Sequence, residues 1–282
     1  MIRILSDSTC DLGPELTERY GVTILPLHVL LGEKDYRDGA DITADMIFDW
    51  ADANKSVPKT AAPSVEEAKA ILREGLDAGD EWVCFTISSE MSACCSVMQL
   101  AARQLRAEDR VSVVDSRNLS SGIGHLVIRA CEDAAAGMDR QEILRRAEEG
   151  IPKVRASFVV DTLEYLHRGG RCSGLSAMMG SILHIHPRIE VADGKMRPGV
   201  KYRGHLEKVV MHYVKDMEEQ LKKSRPDRVF ITHSHVDPAI ADQVREYLLS
   251  LGHFEEILET CAGGVITSHC GPGTLGVLYM ER

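Results

Sequence analysis

The sequence predicts an α/β protein: a mostly parallel sheet with helices on both faces over residues 1–160, then an α+β domain over residues 161–282. Three observations carry this prediction. Short apolar runs alternate with segments of helical periodicity through about the first 160 residues, the pattern of a parallel sheet covered on both faces. Polar turns rich in hydroxyls and carboxylates follow three of the strands, at DSTCDL (7–12), TISSEMS (86–92) and VVDS (113–116). Open α/β sheets bind ligands at that edge, beyond the carboxyl ends of their strands. From Ser157 the alternation loosens, and Asp193-Gly194 is a strong hairpin signal among helices.

In order, Ile2–Leu5 reads as the first strand, and Pro14 is suited to open a short helix. A second strand is expected from Val22 to Leu31, followed by GEKDYRDG (32–39), a polar, turn-rich excursion. Thr43 can cap a helix to about Asn54. SVPKTAAPS (56–64) reads as a loop, and Ser64 with Glu67 forms a capping box for a helix through Ala78, stopped by Gly79. Trp82–Ile87 is a buried strand, and the helix after it repeats apolar residues at Cys94, Val97, Met98, Ala101 and Leu105. Arg110–Val114 is a strand, a long helix starts near Ser120, and Asp139–Glu142 opens the next. In the second half, strand 157–161 leads to a short helix ended by Gly169-Gly170, and an apolar helix is expected around Met178 to Leu183. A long helix spans about His205 to Lys223, and strand Arg228–Thr232 precedes a helix opened at Asp237-Pro238 and ended by Gly252. Strand Glu256–Thr260, the glycine-rich GGVITSHCGPG (263–273) and strand Thr274–Met280 complete the chain.

Composition excludes several classes. At 282 residues and 44% hydrophobic, the chain can bury one large core or two modest ones. A net charge of −10 is contrary to a nucleic-acid surface, which needs clustered Lys and Arg. No apolar run approaches the roughly 20 residues of a membrane span, and MIRILSDST leads straight into a strand without the features of a signal peptide. A cytoplasmic protein is the expectation. The eight cysteines contain no CxxC pair and sit mostly among apolar residues, so they read as reduced and structural.

The chemistry gathers at Ser88, Ser89 and Ser92, between a strand end and a helix start. First-turn N–H groups there lack intrahelical partners and the helix dipole is positive, which suits a carboxylate or phosphate. Simple capping by Ser92 is the plainer alternative. Thr60 and Ser64 offer further hydroxyls, Arg171 a guanidinium fork released by the double glycine, and His269 a donor or proton shuttle.

In this order the segments resemble the DegV family of bacterial lipid-binding proteins, over nearly the whole chain. DSTCDL is similar to the family's opening turn, TAAPS (60–64) to its TSQPS loop and TISSEMSACCS (86–96) to its ISSxLSGT segment. VVDS, DTLEYLHRGGRCS (161–173), GSILHIHP (180–187) and SHCGPGT (268–274) follow in the family's sequence. The resemblance implies a two-domain carrier, not itself an enzyme, holding one long-chain fatty acid with its tail between the domains. A separate fatty acid kinase would receive the carboxylate for acyl-phosphate formation, in phospholipid precursor metabolism. Carried over by position, Thr60 and Ser92 would hold the carboxylate, with Ala93, Ser64, Ser89 and His269 around it. Arg171 and His269 would support phosphoryl transfer by the partner. No cofactor or metal is implied, and contact with a membrane surface would be transient. Ala61-Ala62 and Ala93-Cys94 depart from the family's Ser-Gln and Gly-Thr, and His184 and His186 replace its usual Asn and Lys.

Three other chemistries compete. His233, His235 and Asp237 resemble the HxHxD core of metal-dependent hydrolases, and His184 with His186 forms a second pair whose alternate strand positions share a face. Pro238 stands where that motif carries another histidine. A serine hydrolase using Ser92 and His269 lacks the G-x-S-x-G elbow. An enzyme of small phosphorylated substrates would use the same anion site, although the chain has no G-x-x-x-x-G-K-[ST] loop.

Overall fold

A computed structural model of the chain describes residues 1–172, 174 and 185–282. In chain order its elements begin β1 (Ile2–Asp7), α1 (Gly13–Tyr20), β2 (Thr23–Leu25), β3 (His28–Leu31), β4 (Lys34–Arg37), α2 (Ala44–Asn54) and β5 (Lys59–Ala61). They continue α3 (Val65–Asp77), β6 (Glu81–Thr86), α4 (Cys94–Gln104), β7 (Val111–Asp115), α5 (Ser121–Ala135), α6 (Arg140–Gly150), β8 (Val154–Val159) and α7 (Glu164–Gly169). The remainder is β9 (Ile185–Ala192), β10 (Lys195–Arg203), α8 (Leu206–Asp216), α9 (Glu218–Lys223), β11 (Arg228–Ser234), α10 (Pro238–Ser250), β12 (Glu256–Cys261), α11 (Gly264–Cys270) and β13 (Thr274–Met280).

The first sheet is wholly parallel, in the order β2-β1-β6-β7. Successive residues of β6 point to opposite faces, and each face finds its own helices. Trp82 and Cys84 meet Leu72 of α3 and Met98 and Ala101 of α4. Val83 and Phe85 meet Ile123 and Val127 of α5 and Ile143 of α6. The Trp82 indole donates to the Leu72 carbonyl at 3.0 Å, and a Cβ at Gly75 would lie 2.6 Å from that indole nitrogen. Glycine there lets the helix approach the sheet.

The second sheet is mixed and six-stranded, in the order β10-β9-β8-β13-β11-β12. Helix α5 lies between the two sheets, which explains why residues 121–128 are buried on every side. Its Ser121 hydroxyl bonds Thr232 at 2.6 Å and its His125 ring reaches the Leu278 carbonyl at 3.0 Å. Helices α8 and α10 cover the far face with Val210, Tyr213, Val244 and Leu248. Asp193 and Gly194 both have positive φ, the requirement of the tight turn that joins β9 to β10.

Several expectations change. The run from Val22 to Leu31 is not one strand: it breaks at Pro26-Leu27, and β3 joins a third sheet, β4-β3-β5. Proline has no N–H to continue the ladder, and Ser8 Oγ takes up the Leu27 N–H instead at 3.1 Å. GEKDYRDG contains β4, and the supposed loop 56–64 contains β5. The long helix 205–223 is interrupted at Met217, whose side chain is buried. GGVITSHCGPG contains the helix α11. The strand expected at 157–161 runs from Val154 to Val159. Thr43, Ser64 and Asp139 cap their helices through their side chains as their positions predict. The helix expected around Met178 to Leu183, and His184 with it, lie outside the described residues.

Candidate functional site

The loop between β6 and α4 is held from below by a buried carboxylate. Asp7, at the end of β1, accepts from the Ile87 N–H at 2.7 Å and from the hydroxyl of Thr9 at 2.5 Å. The loop then turns back on itself, with the Ser92 N–H donating to the Ser88 carbonyl at 3.1 Å. Ser92 stands one residue further from the helix than a cap would. Ala93 is the N-cap, without a side-chain cap bond, and Ser92 Oγ accepts from Cys94 N–H at 3.2 Å. Its hydroxyl proton therefore stays free to donate to a ligand.

Thr60 arrives from β5, paired across from Val29 of β3. His269 arrives from α11, and its Nε2 lies 2.8 Å from Thr60 Oγ1. The other ring nitrogen, Nδ1, is sealed from solvent without a partner, and a Cβ on Gly169 would lie 2.4 Å from it. An unpaired buried N–H costs more than an unpaired lone pair. The proton is therefore assigned to Nε2, which donates to Thr60 and leaves the threonine O–H free for a ligand. Burial, and then the neighbouring Arg171 charge, push the His269 pKa down to about 4, so the ring is neutral at neutral pH. Gly170 has φ +68°, after which Arg171 emerges exposed, its Nη1 donating to the Gly169 carbonyl at 2.6 Å.

These groups meet at a cavity of about 190 Å³. Thr60, Ser92, Ala93, Arg171 and His269 line it, together with Ala61 and Ala62. Leu27, Ile87, Met91, Leu119, Met196 and Ile266 give it apolar walls. One end thus offers hydroxyl donors and a guanidinium, and the rest offers hydrocarbon. Such a space suits an amphiphile with a small anionic head. Ser64 and Ser89 are not among the lining residues. Ser64 is committed to its capping box with Glu67, and Ser89 Oγ donates to Asp115 Oδ2 at 2.5 Å. Met196 and Leu27 were missed because an apolar residue carries no chemical signal until folding brings it to a wall.

Also missed were the acids that position α11. Asp11 accepts from the Gly263 N–H at 2.8 Å and from Ser120 at 2.5 Å, and Asp38 accepts from the Gly264 N–H at 2.5 Å and from Ser8 at 2.8 Å. Burial holds Asp7, Asp11 and Asp38 above the ordinary carboxylate range, against the opposing pull of these hydrogen bonds. Their place in DSTCDL and GEKDYRDG gave a signal, but not the distant partner.

The rival chemistries do not assemble. His233 Nε2 faces Glu259 at 3.2 Å, His235 faces Asp45 at 3.5 Å, and Asp237 caps α10. No group of three or more His, Cys, Asp or Glu among the described residues is arranged to hold a metal ion. His186 is buried between the carbonyls of Val160, at 2.9 Å, and Gly204, at 3.1 Å. The Ser92–His269 pairing of a hydrolase fails because one imidazole nitrogen serves Thr60 and the other is sealed. The eight cysteines are free thiols, all buried except Cys261. No helix among the described residues is long and apolar enough to cross a membrane.

Comparison with known proteins adds to this geometry. A family model described as "Uncharacterised protein, DegV family" matches residues 1–282. A DegV domain-containing protein of Deinococcus radiodurans is 33% identical over 276 residues, covering 98% of this chain and 97% of its own. Among solved structures, a fatty-acid-binding DegV family protein from Thermus thermophilus matches with a TM-score of 0.90 and 31% identity, covering 100% of this chain and 99% of the other. A stearic acid-binding protein from Eubacterium ventriosum matches with a TM-score of 0.83 and 27% identity, covering 100% and 98%.

Proposed function

The chain belongs to the DegV family, and from that premise we propose that it binds one long-chain fatty acid and presents the carboxylate to a separate fatty acid kinase. Thr60 and Ser92 donate their hydroxyl protons to the carboxylate. Arg171 and His269 flank it and support phosphoryl transfer by the partner, which carries the nucleotide. The observation that carries this reading is the cavity itself, where hydroxyls from the first 160 residues meet Arg171 and His269 from the rest, beside an apolar wall.

Physical chemistry agrees with a carrier role. The free hydroxyl protons of Thr60 and Ser92 can each form a charge-assisted bond to an ionised head. The tail needs only apolar lining, at about 0.8 kcal/mol per buried methylene. Leu119, Ile266 and Cys270, on the cavity's apolar side, also border a void of about 20 Å³ towards Phe158 and Leu278. The neutral His269 leaves Arg171 as the cation at the head, available to the charge that develops on a phosphoryl group.

Reconstitution tests the reading. Purified chain loaded with oleate, a fatty acid kinase and ATP should yield acyl phosphate, and omitting the chain should abolish it. Arg171→Ala should keep its lipid and lose phosphorylation. Loss of lipid equal to that in Ser92→Ala would refute this division of labour.

A further inference from the structure

A histidine outside the cavity holds the segment that lines it. On β3, His28 pairs through its backbone with Ala61 of β5, next to Thr60. Residues directly opposite each other share a face of the sheet, so His28 and Ala61 point one way while Val29 and Thr60 point the other. From its own face the imidazole reaches two carboxylates. Nδ1 lies 2.8 Å from Asp35 Oδ1 of β4, and Nε2 lies 3.2 Å from Glu67 Oε1 of α3. Glu67 in turn accepts from the Ser64 N–H at 2.7 Å and from the Ser64 hydroxyl at 2.6 Å. These bonds close a ring around Ala61, Ala62, Pro63 and Ser64, and the same segment gives Thr60, Ala61 and Ala62 to the cavity wall.

Only the charged ring satisfies both partners. A neutral imidazole has one N–H and one lone pair, and here the lone pair would face a carboxylate oxygen at either nitrogen. Burial opposes the charge, but Asp35 and Glu67 outweigh it and hold the His28 pKa above its ordinary 6.5. Two cations share this face of the sheet: Arg37, opposite His28 on β4, is engaged by Asp41, and Lys59 on β5 is exposed. Near the head group, His269 is already neutral above pH 6.5, and burial pushes the Cys270 thiol up. Just above neutral pH, His28 is thus the group whose charge changes beside this segment.

We propose that the His28 imidazolium is a positioning residue for the head-group site: it ties α3 to the β3–β4 hairpin, fixes Thr60 through the closed segment 61–64, and slackens that hold when it loses its proton, so that bound lipid leaves faster as pH rises. The inference rests on the fatty acid reading of the cavity. Its sign follows from the linkage: a group charged in the fold above its ordinary pKa contributes fully below 6.5, and the contribution is lost as pH climbs through the raised value. Its size is modest, because Asp35 and Glu67 are 54% and 41% exposed and such pairs are screened by solvent.

The test follows release of oleate from the loaded full chain into excess albumin, between about pH 6 and about pH 9. A release rate depends on the bound state and not on how free oleate ionises or aggregates. The expected result is a rise of about two- to fivefold in the parent as pH increases. His28→Gln should release at the parent's high-pH rate throughout, and His28→Lys, a permanent cation, at the parent's low-pH rate throughout. In a Thr60→Ala background, His28→Gln should change the rate no further, whereas a general loosening of the fold would add to it. A parent rate independent of pH, the same pH profile in parent and His28→Gln, or His28→Lys as fast as His28→Gln overturns the proposal. The parent profile and His28→Lys decide the matter even if His28→Gln fails to fold. A parent that retains no oleate at any pH overturns the fatty acid reading itself, and this inference with it.

Discussion

Thr60 and His269 are 209 positions apart in the chain and 2.8 Å apart in space. That contact sets what each can do, since the imidazole Nε2–H orients the hydroxyl, and the nitrogen left with a lone pair, Nδ1, is sealed away from the cavity. Removing either head-group hydroxyl, by Thr60→Ala or Ser92→Ala, should cost about 1.5–3 kcal/mol of fatty acid binding, roughly a ten- to hundredfold weaker Kd by titration calorimetry. His269 should also leave a mark on stability. Its pKa falls from an ordinary 6.5 to about 4 in the fold, so below pH 6.5 the unfolded chain takes up a proton that the folded one refuses. The stability tied to a neutral ring is whole above about pH 6.5 and is lost progressively down to about pH 4. The buried Asp7, Asp11 and Asp38, with raised pKa values, work in the opposite sense. The informative quantity is therefore a difference: in denaturant unfolding, His269→Gln should lose less stability than the parent between pH 6.5 and 4. At this scale the sequence named Thr60, Ser92, Arg171 and His269 from their side-chain chemistry and their place in the chain, and family resemblance supplied the roles proposed for them. It also named Ser64 and Ser89, whose hydroxyls face Glu67 and Asp115 because local partners lie nearer than any cavity.

Elements place those residues, and glycines decide how closely the elements approach. Gly169 ends α7 against the His269 ring, where a Cβ would lie 2.4 Å from Nδ1. Gly169→Ala should displace the imidazole, break its bond to Thr60 and lower kinase-dependent acyl-phosphate formation severalfold or more. Gly170 has open space at its Cβ but φ +68°, so Gly170→Ala should cost about 1 kcal/mol of stability, by thermal melt, and leave the His269–Thr60 contact in place. Long elements with strong periodicity or a capping signal were legible in advance: α2 with Thr43, α3 with its capping box, β6 and β13. The short ones were not. β5 has three residues and α11 has seven, too few to show a period, and they carry Thr60 and His269. The third sheet and the two carboxylates that clasp α11 form only through distant partners, Asp11 with Gly263 and Asp38 with Gly264.

For the molecule as a whole, an apolar helix between two sheets ties the halves of the chain together, and the candidate site lies where their polar ends meet. Alternating strands and helices foretold the parallel sheet and its two covered faces. Nothing in composition or periodicity foretold the cavity, because its walls are ordinary core residues from Leu27, Met91, Met196 and Ile266 that leave a space only when packed. The central claim is that this space holds an acyl chain by its carboxylate. Lipid extraction and mass spectrometry of the gently purified protein after expression in bacteria test it most directly. The expected result is one long-chain fatty acid per chain, retained through purification and depleted in a Thr60→Ala, Ser92→Ala double variant. A folded protein carrying no fatty acid, or the same amount in the parent and the variant, would contradict it.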